Sequence, residues 1–422
     1  MHRLGGFVLD TRPLKIAPFR RLWLSTAITA IGSQLTAVAV PKQVFDITNS
    51  SAWVGLAGVV ALVPLLVFGL WGGAIADTVD RRKLLLWTNT GIALTSLLLW
   101  AQAAARLDSV WIVLVLLAVQ QALFAINQPA RSASVARLVP PVLLPASNAV
   151  YTTVFNFGAV LGPLLAGAFI PVLGLPTLYL IDALGLCLTM WAVWKLPALP
   201  PLAGPTRRAG LRDVLDGFRY LSVRPVLLAS FVLDIIAMVA GMPRALFPEM
   251  AERTFGDPPG GGVALGWLFA AIPIGAVICG LLSGWLSRIS RHGIAVVIAV
   301  CAWGVAVAGF GVSHSLLVAA LFLGLAGAAD MVSSVFRNSI LQTAATDEMR
   351  GRMQGVFTVV VTGGPRLADT VHGVMGAAAG TTATVAGGGV LVVVLALIAA
   401  ALLPAFRRYR APRAGDAEVP VG

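Results

Sequence analysis

Long apolar runs broken by short polar clusters set the pattern of this 422-residue chain. Residues 47–76 hold no Asp, Glu, Lys or Arg, and neither do residues 84–105. Each run exceeds the ~20 residues that a helix rising ~1.5 Å per residue needs to cross a bilayer. The same reading predicts twelve spans, near 21–45, 52–76, 84–105, 109–130, 147–170, 176–195, 225–247, 263–287, 293–312, 315–337, 353–376 and 383–406. The uncharged stretch from Leu138 to Ile181 is too long for one crossing. Pro171 and the turn Gly174-Leu175-Pro176 divide it in two.

The predicted fold class is therefore an all-α membrane protein with two six-helix bundles. Its expected parts are a cytoplasmic segment 1–20, a first bundle 21–196, a linker 197–224, a second bundle 225–406 and a cytoplasmic tail 407–422. Within the linker, Leu211 to Leu221 has the pattern of an amphipathic surface helix. The two bundles show weak internal similarity. A shift of 206 positions lays Phe336-Arg337-Asn338-Ser339 on Ala130-Arg131-Ser132-Ala133, and Met353 to Thr358 on Ser147 to Thr152. A shift of 211 lays Gly284 on Gly73. Paired halves of this kind are common in membrane carriers.

Composition agrees with the hydropathy. Hydrophobic residues make up 58% and charged residues 11%, against about 25% charged in ordinary soluble chains. The net charge of +12 invites a nucleic-acid reading, but the positions argue for topology instead. Of the 30 Lys and Arg, only Lys42, Arg106, Arg244, Arg253 and Arg366 lie away from one set of alternate helix ends. That bias predicts both termini in the cytoplasm and no nucleic-acid partner. Cys187, Cys279 and Cys301 lie in apolar runs and read as small hydrophobes; no metal spacing is present. None of the four lysines, at 15, 42, 83 and 195, follows glycine as a phosphate loop requires. An enzyme is not expected, and no cofactor. Energy for any pumping would come from an ion gradient or an external partner.

Ionised groups at membrane depth are costly and mark function by default. Asp234 lies about 14 Å in from Pro225, near the midplane, at ~1.5 Å per residue. Arg244 follows near the outer mouth, Asp330 lies in the inner half of its span, and Asp182 in the outer half of another. The densest cluster is Gly363-Gly364-Pro365-Arg366-Leu367-Ala368-Asp369-Thr370-Val371-His372. Arg366, Asp369 and His372, spaced i, i+3, i+6, are expected on one face of a helix starting at Pro365, with the Gly-Gly-Pro break freeing backbone groups that must face protein or water. The cluster reads as a solute or proton path, or else as a structural Arg366–Asp369 pair. Asp330 reads as a member of that path or as an inner-gate partner.

Between spans two and three, Gly73, Asp77, Arg81 and Arg82 resemble the Gly-x-x-x-Asp-x-x-Gly-Arg-Arg motif of the major facilitator superfamily, with Asp80 at the second glycine. Gly158, Gly162 and Pro163 resemble its Gly-x-x-x-Gly-Pro exporter motif; they also suit close helix packing alone. The segments Ala39 to Val44, Pro197 to Pro201, Gly217 to Leu221, Phe269 to Ala276 and Leu341-Gln342-Thr343 are similar to the siderophore (enterobactin) exporter branch. The resemblance covers nearly all of residues 18–406. It implies alternating access, a cytoplasmic gate at Gly73, Asp77, Arg81 and Arg82, and proton antiport driven by the proton gradient. It implies Asp234 or Asp369 as the proton-carrying acid, and Arg366 and Arg244 as attractors of an anionic solute. The expected partners are a small-molecule substrate and the bilayer, with a monomeric carrier. Efflux of macrolide- or tetracycline-like drugs is the alternative cargo, and a non-transporting sensor or scaffold the alternative class.

Overall fold

The computed structural model describes residues 10–200 and 211–410; the side chains of 70, 73, 74, 76, 77, 211–215, 347, 348, 350–352, 354, 355 and 358 fall outside the description. So do parts of the expected N-terminal segment, linker and tail. Among the described residues there are fifteen α-helices. They are α1 (Ala17–Thr48), α2 (Ser51–Thr78), α3 (Arg81–Ala104), α4 (Val110–Leu138), α5 (Leu144–Leu173), α6 (Leu175–Trp194), α7 (Leu211–Ser222) and α8 (Pro225–Gly241). There follow α9 (Phe247–Arg253), α10 (Val263–Leu281), α11 (His292–Gly311), α12 (Leu316–Ala344), α13 (Asp347–Ala379), α14 (Thr381–Leu402) and α15 (Pro404–Arg407).

Eleven helical segments among the described residues are long and apolar enough to cross a membrane. The expected eleventh span, 353–376, lies in α13 and is not one of these eleven. It carries Arg366, Asp369 and His372 between glycines and threonines, which lowers its apolar character. The expected helix start at Pro365 is not observed. α13 runs through Pro365 without interruption, so the Gly-Gly-Pro stretch is not a break. The span expected at 225–247 falls inside the membrane-length segment Pro225–Arg253, within which α8 stops at Gly241. Met242 is extended, as a residue before proline tends to be, and a 3-10 turn at Arg244–Leu246 leads into α9.

Chain turns follow local chemistry. α1 ends at Asn49 in the left-handed region, φ 49°. Two tight inter-helix turns use glycine in the same backbone state: Gly174 (φ 76°, ψ 155°) between α5 and α6, and Gly380 (φ 85°, ψ 158°) between α13 and α14. Positions 174 and 380 differ by 206, the offset of the sequence repeat. A residue with a Cβ is strained in that region, so both halves solve the same turn in the same way.

The chain divides into two compact units. The first holds α1, α2 from Val60 onward, α3 to α6, and residues Gly256–Ala270, which include the start of α10. Its core gathers Phe19, Leu22, Leu84, Leu85, Ile126, Ala130 and Val193 from α1, α3, α4 and α6. α5 packs on α1 through small residues: a Cβ on Gly158 would meet Ala30 Cβ at 2.9 Å, and one on Gly162 would meet Gln34 Cβ at 2.3 Å. Pro163 lies inside the same helix, and its carbonyl faces Gly266 of α10. The second unit holds the first turns of α2 (Ser50–Val59), α7 to α9, α10 from Ala271, and α11 to α15.

Candidate functional site

The ionisable residues singled out from sequence in the second unit fall into three groups. The first lies between α8 and α12. Asp234, 1% exposed, forms an ion pair with Nη1 of Arg337, 4% exposed, and Nη2 of Arg337 lies 3.6 Å from Oδ1 of Asp330. Asp330 thus shares Arg337 with Asp234. Arg337 reads in the sequence as one more positive charge at a helix end. The offset that aligns it with Arg131 was the available hint, because Arg131 is also buried, at 3% exposed. Arg131 meets neutral groups: Nη1 donates to Thr26 Oγ1 at 2.8 Å and Nε to Asn127 Oδ1 at 3.2 Å.

The second group is on α13. Arg366 and Asp369 lie along the first turns of α2. A Cβ on Gly58 would fall 2.7 Å from the Arg366 carbonyl oxygen and 2.8 Å from Asp369 Cβ; one on Gly55 would fall 2.7 Å from the Asp369 carbonyl. A Cβ on Gly373 would come within 2.7 Å of Gly55 Cα, so here the two helices meet backbone to backbone. Thr370 Oγ1 donates to the Gly55 carbonyl at 3.1 Å. The neighbouring end of α2 is also held by Ser51, whose hydroxyl donates to Glu249, itself paired with Arg253 at 2.6 Å. Asp369 feels the charges of Arg366 and of Arg244, and its buried Oδ1 has no hydrogen-bond partner.

The expected single face of Arg366, Asp369 and His372 is not observed, and His372 forms the third group. At about 100° per residue, six residues accumulate about 600°, leaving His372 about 120° from Arg366. It is 2% exposed and turns to α14 and α8: its Nε2 would lie 3.3 Å from a Cβ on Gly388, and its Nδ1 bonds with the Ala368 carbonyl at 3.1 Å. It lines a largely apolar cavity of about 450 Å³ with Ile235, Val239, Met375, Thr384 and Leu391.

In the first unit, the backbone of Gly73 and Asp77 belongs to the end of α2, and their side chains fall outside the description. Asp80, which departs from the motif, caps α3: its carboxylate accepts from the backbone N–H of Arg82 at 2.9 Å and of Lys83 at 3.3 Å. Three arginines grip main-chain carbonyls where α6 ends and the chain runs on. Arg82 Nη2 donates to Trp194 at 2.5 Å, Arg21 Nη1 to Lys195 at 3.0 Å, and Arg137 to Pro200. The Arg81 backbone N–H donates to Leu199 at 3.0 Å, and its Nη1 lies 3.4 Å from the Ala133 carbonyl. These donors suit a helix C-terminus, where carbonyls lack helical partners.

The family model described as a transmembrane secretion effector of the major facilitator type matches residues 10–415. The enterobactin exporter EntS of Escherichia coli O81 (strain ED1a) is 28% identical over 374 residues, covering 88% of each chain. Among solved structures, a bacterial homologue of the human lysosomal transporter Spinster, inward-facing and unoccupied, superposes with a TM-score of 0.72 at 16% identity, covering 94% of this chain and 98% of that one. The nucleoside transporter NupG gives 0.72 at 14%, covering 93% and 99%. At those identities the structural likeness establishes the fold.

Proposed function

We propose, because this chain belongs to the transmembrane secretion effector family of the major facilitator superfamily, that it is a proton-coupled exporter of an anionic, siderophore-like solute. A transporter of that superfamily is a multi-pass membrane protein and not an enzyme. Alternating access, the proton and the cargo are the further reading. The observation that carries it is the acid on α13 with two arginine charges acting on it. Arg366 and Arg244 both act on Asp369, whose buried Oδ1 has no hydrogen-bond partner. A hydroxyl of an incoming catecholate donating to that oxygen would favour the ionised carboxylate, so the acid would lose its proton as the solute binds, while the arginines attract the solute's negative charge. Solute and proton would thus compete for one site, which is the requirement of antiport. Asp234 serves this role less well, since Arg337 holds it in a direct ion pair shared with Asp330. That pair is the better candidate for a contact that changes as the helices move. Arg81 and Arg82, with Gly73 and Asp77, are proposed to anchor the inner gate.

Drug efflux is a second reading, favoured by the apolar cavity of about 450 Å³ beside His372. An uncharged or cationic lipophile would suit that lining better than a catecholate.

Purified protein in proteoliposomes tests the proposal. With a pH gradient imposed, wild type is expected to accumulate a catecholate siderophore, and Asp369→Asn to lose gradient-driven flux while inserting and folding normally. Undiminished flux by that variant removes Asp369 from the coupling role. Flux of lipophilic drugs with none of the catecholate selects the second reading.

A further inference from the structure

The acids within the membrane-length segments and α13 differ in what neutralises them. Asp234 and Asp330 share Arg337, Asp46 pairs with Lys42 at 2.5 Å, Glu249 pairs with Arg253, and Asp369 feels two arginines. Asp182 of α6 is different. It is 3% exposed, and among the described residues no cation pairs with it. Its Oδ2 accepts hydrogen bonds from Thr36 Oγ1 at 3.0 Å and Ser96 Oγ at 2.8 Å. Ser96 Oγ in turn accepts from Gln120 Nε2 at 3.0 Å. The other oxygen lies against Gly32, where a Cβ would sit 2.3 Å from Oδ1; glycine therefore makes the space that the carboxyl occupies.

The groups facing Asp182 from the helices packed on α6 are neutral. From α1 they are Gly32 and Thr36, and from α3 Ser96. The ionisable side chains of those helices are engaged elsewhere or remote. Lys42 and Asp46 of α1 pair with each other, Arg81 and Arg82 lie at the first turn of α3, and Tyr151 of α5 bonds Thr26. On α6 itself, Tyr179 gives its hydroxyl to Gln43 Oε1 at 2.9 Å.

A carboxylate buried without a cation costs several kcal/mol, whereas a neutral acid with hydrogen bonds is tolerated. Hydroxyls suit both forms, because each can donate to a carboxylate or, after its O–H rotates, accept from a carboxylic acid. The cluster can thus hold Asp182 with or without its proton while the heavy atoms stay in place. The counter-charge that the protein does not supply is the proton itself. We propose that Asp182, with Thr36, Ser96 and Gln120, is a proton-binding site in the first unit, additional to the acid on α13. Its carboxylate takes a proton from hydronium, leaving water, when the cluster is hydrated from one side, and returns it to water when hydrated from the other. Its place in transport rests on the proton-coupled reading above; its capacity to bind a proton does not.

The test is labelling with dicyclohexylcarbodiimide, which condenses with protonated carboxyls in apolar surroundings. The purified full chain is treated in detergent across a pH series, and the adduct is mapped by mass spectrometry. The expected result is an adduct on Asp182 that falls at least ~5-fold between about pH 6 and about pH 9 as the proton is lost. Asp182→Asn identifies the signal by its loss. In a Thr36→Val/Ser96→Ala variant the ionised form loses its donors, and labelling at about pH 9 is expected to rise at least ~3-fold over wild type. No adduct on Asp182 at any pH, or one that does not change with pH, overturns the proposal. Unchanged labelling in the double variant overturns the part given to the hydroxyls. If vesicles of wild type show no pH-driven flux, the transport reading fails, while the labelling still decides whether Asp182 binds a proton.

Discussion

The ion pairs around Arg337 allow a prediction with a worked magnitude. Arg337 is 4% exposed and has two acids, one in direct contact and one at 3.6 Å. Removing one partner of a buried pair typically costs 3–5 kcal/mol, because a charge is left uncompensated. Here the loss is cushioned. After Asp234→Asn, Asp330 still faces the guanidinium, so the expected cost is about 3 kcal/mol, at the low end of that range. Asp330 is the more distant and more exposed partner, and Asp330→Asn is expected to cost about 1 kcal/mol. With both replaced, no carboxylate among the described residues pairs with Arg337, and the cost should exceed the sum of the two by about 1 kcal/mol or more. Adding Arg337→Met to the doubly neutral protein should restore much of the loss, since no charge is then stranded. Reversible unfolding in mixed micelles, followed by circular dichroism, gives the four free energies. Equal costs for the two single variants would refute the ranking. Strict additivity in the double variant would refute the idea that the acids substitute for one another.

Two further outcomes follow from backbone geometry. Gly174→Ala and Gly380→Ala each place a Cβ at φ 76° and φ 85°, and each is expected to destabilise by about 1–3 kcal/mol; similar thermal-stability losses for both would match their like conformations. Gly55→Leu inserts a side chain where α2 and α13 touch through backbone, so thermal stability should fall by at least about 1–3 kcal/mol; an unchanged melting curve would contradict the close approach.

Hydropathy located the helices well because burial in lipid and crossing length act on every residue of a run. It could not foresee α13 continuing through Pro365. A proline removes one hydrogen bond, and whether the helix goes on depends on what surrounds it, which local sequence does not encode. The charge pattern misled in an instructive way. Arg131 and Arg337 fit the expected helix-end positions, yet both are buried at 3–4% exposure and bonded within their own units. A charge near a helix end looks the same in sequence whether it faces headgroups or a neighbouring helix. The spacing of Arg366, Asp369 and His372 suggested one shared face, but helical rotation over six residues sends His372 to other neighbours. The isolation of Asp182 was invisible, because the absence of a cation is a property of three packed helices and not of any one of them.

The arginines that reach Trp194, Lys195 and Pro200 all donate to carbonyl oxygens, a group that every residue type presents alike. At those three positions the chain leaving α6 is therefore held by its backbone, while the buried side chains of Leu196 and Leu199 seat the stretch between them. Replacing Trp194, Lys195 or Pro200 leaves these three contacts available so long as the strap keeps its course, whereas Leu196 and Leu199 tie that course to the core.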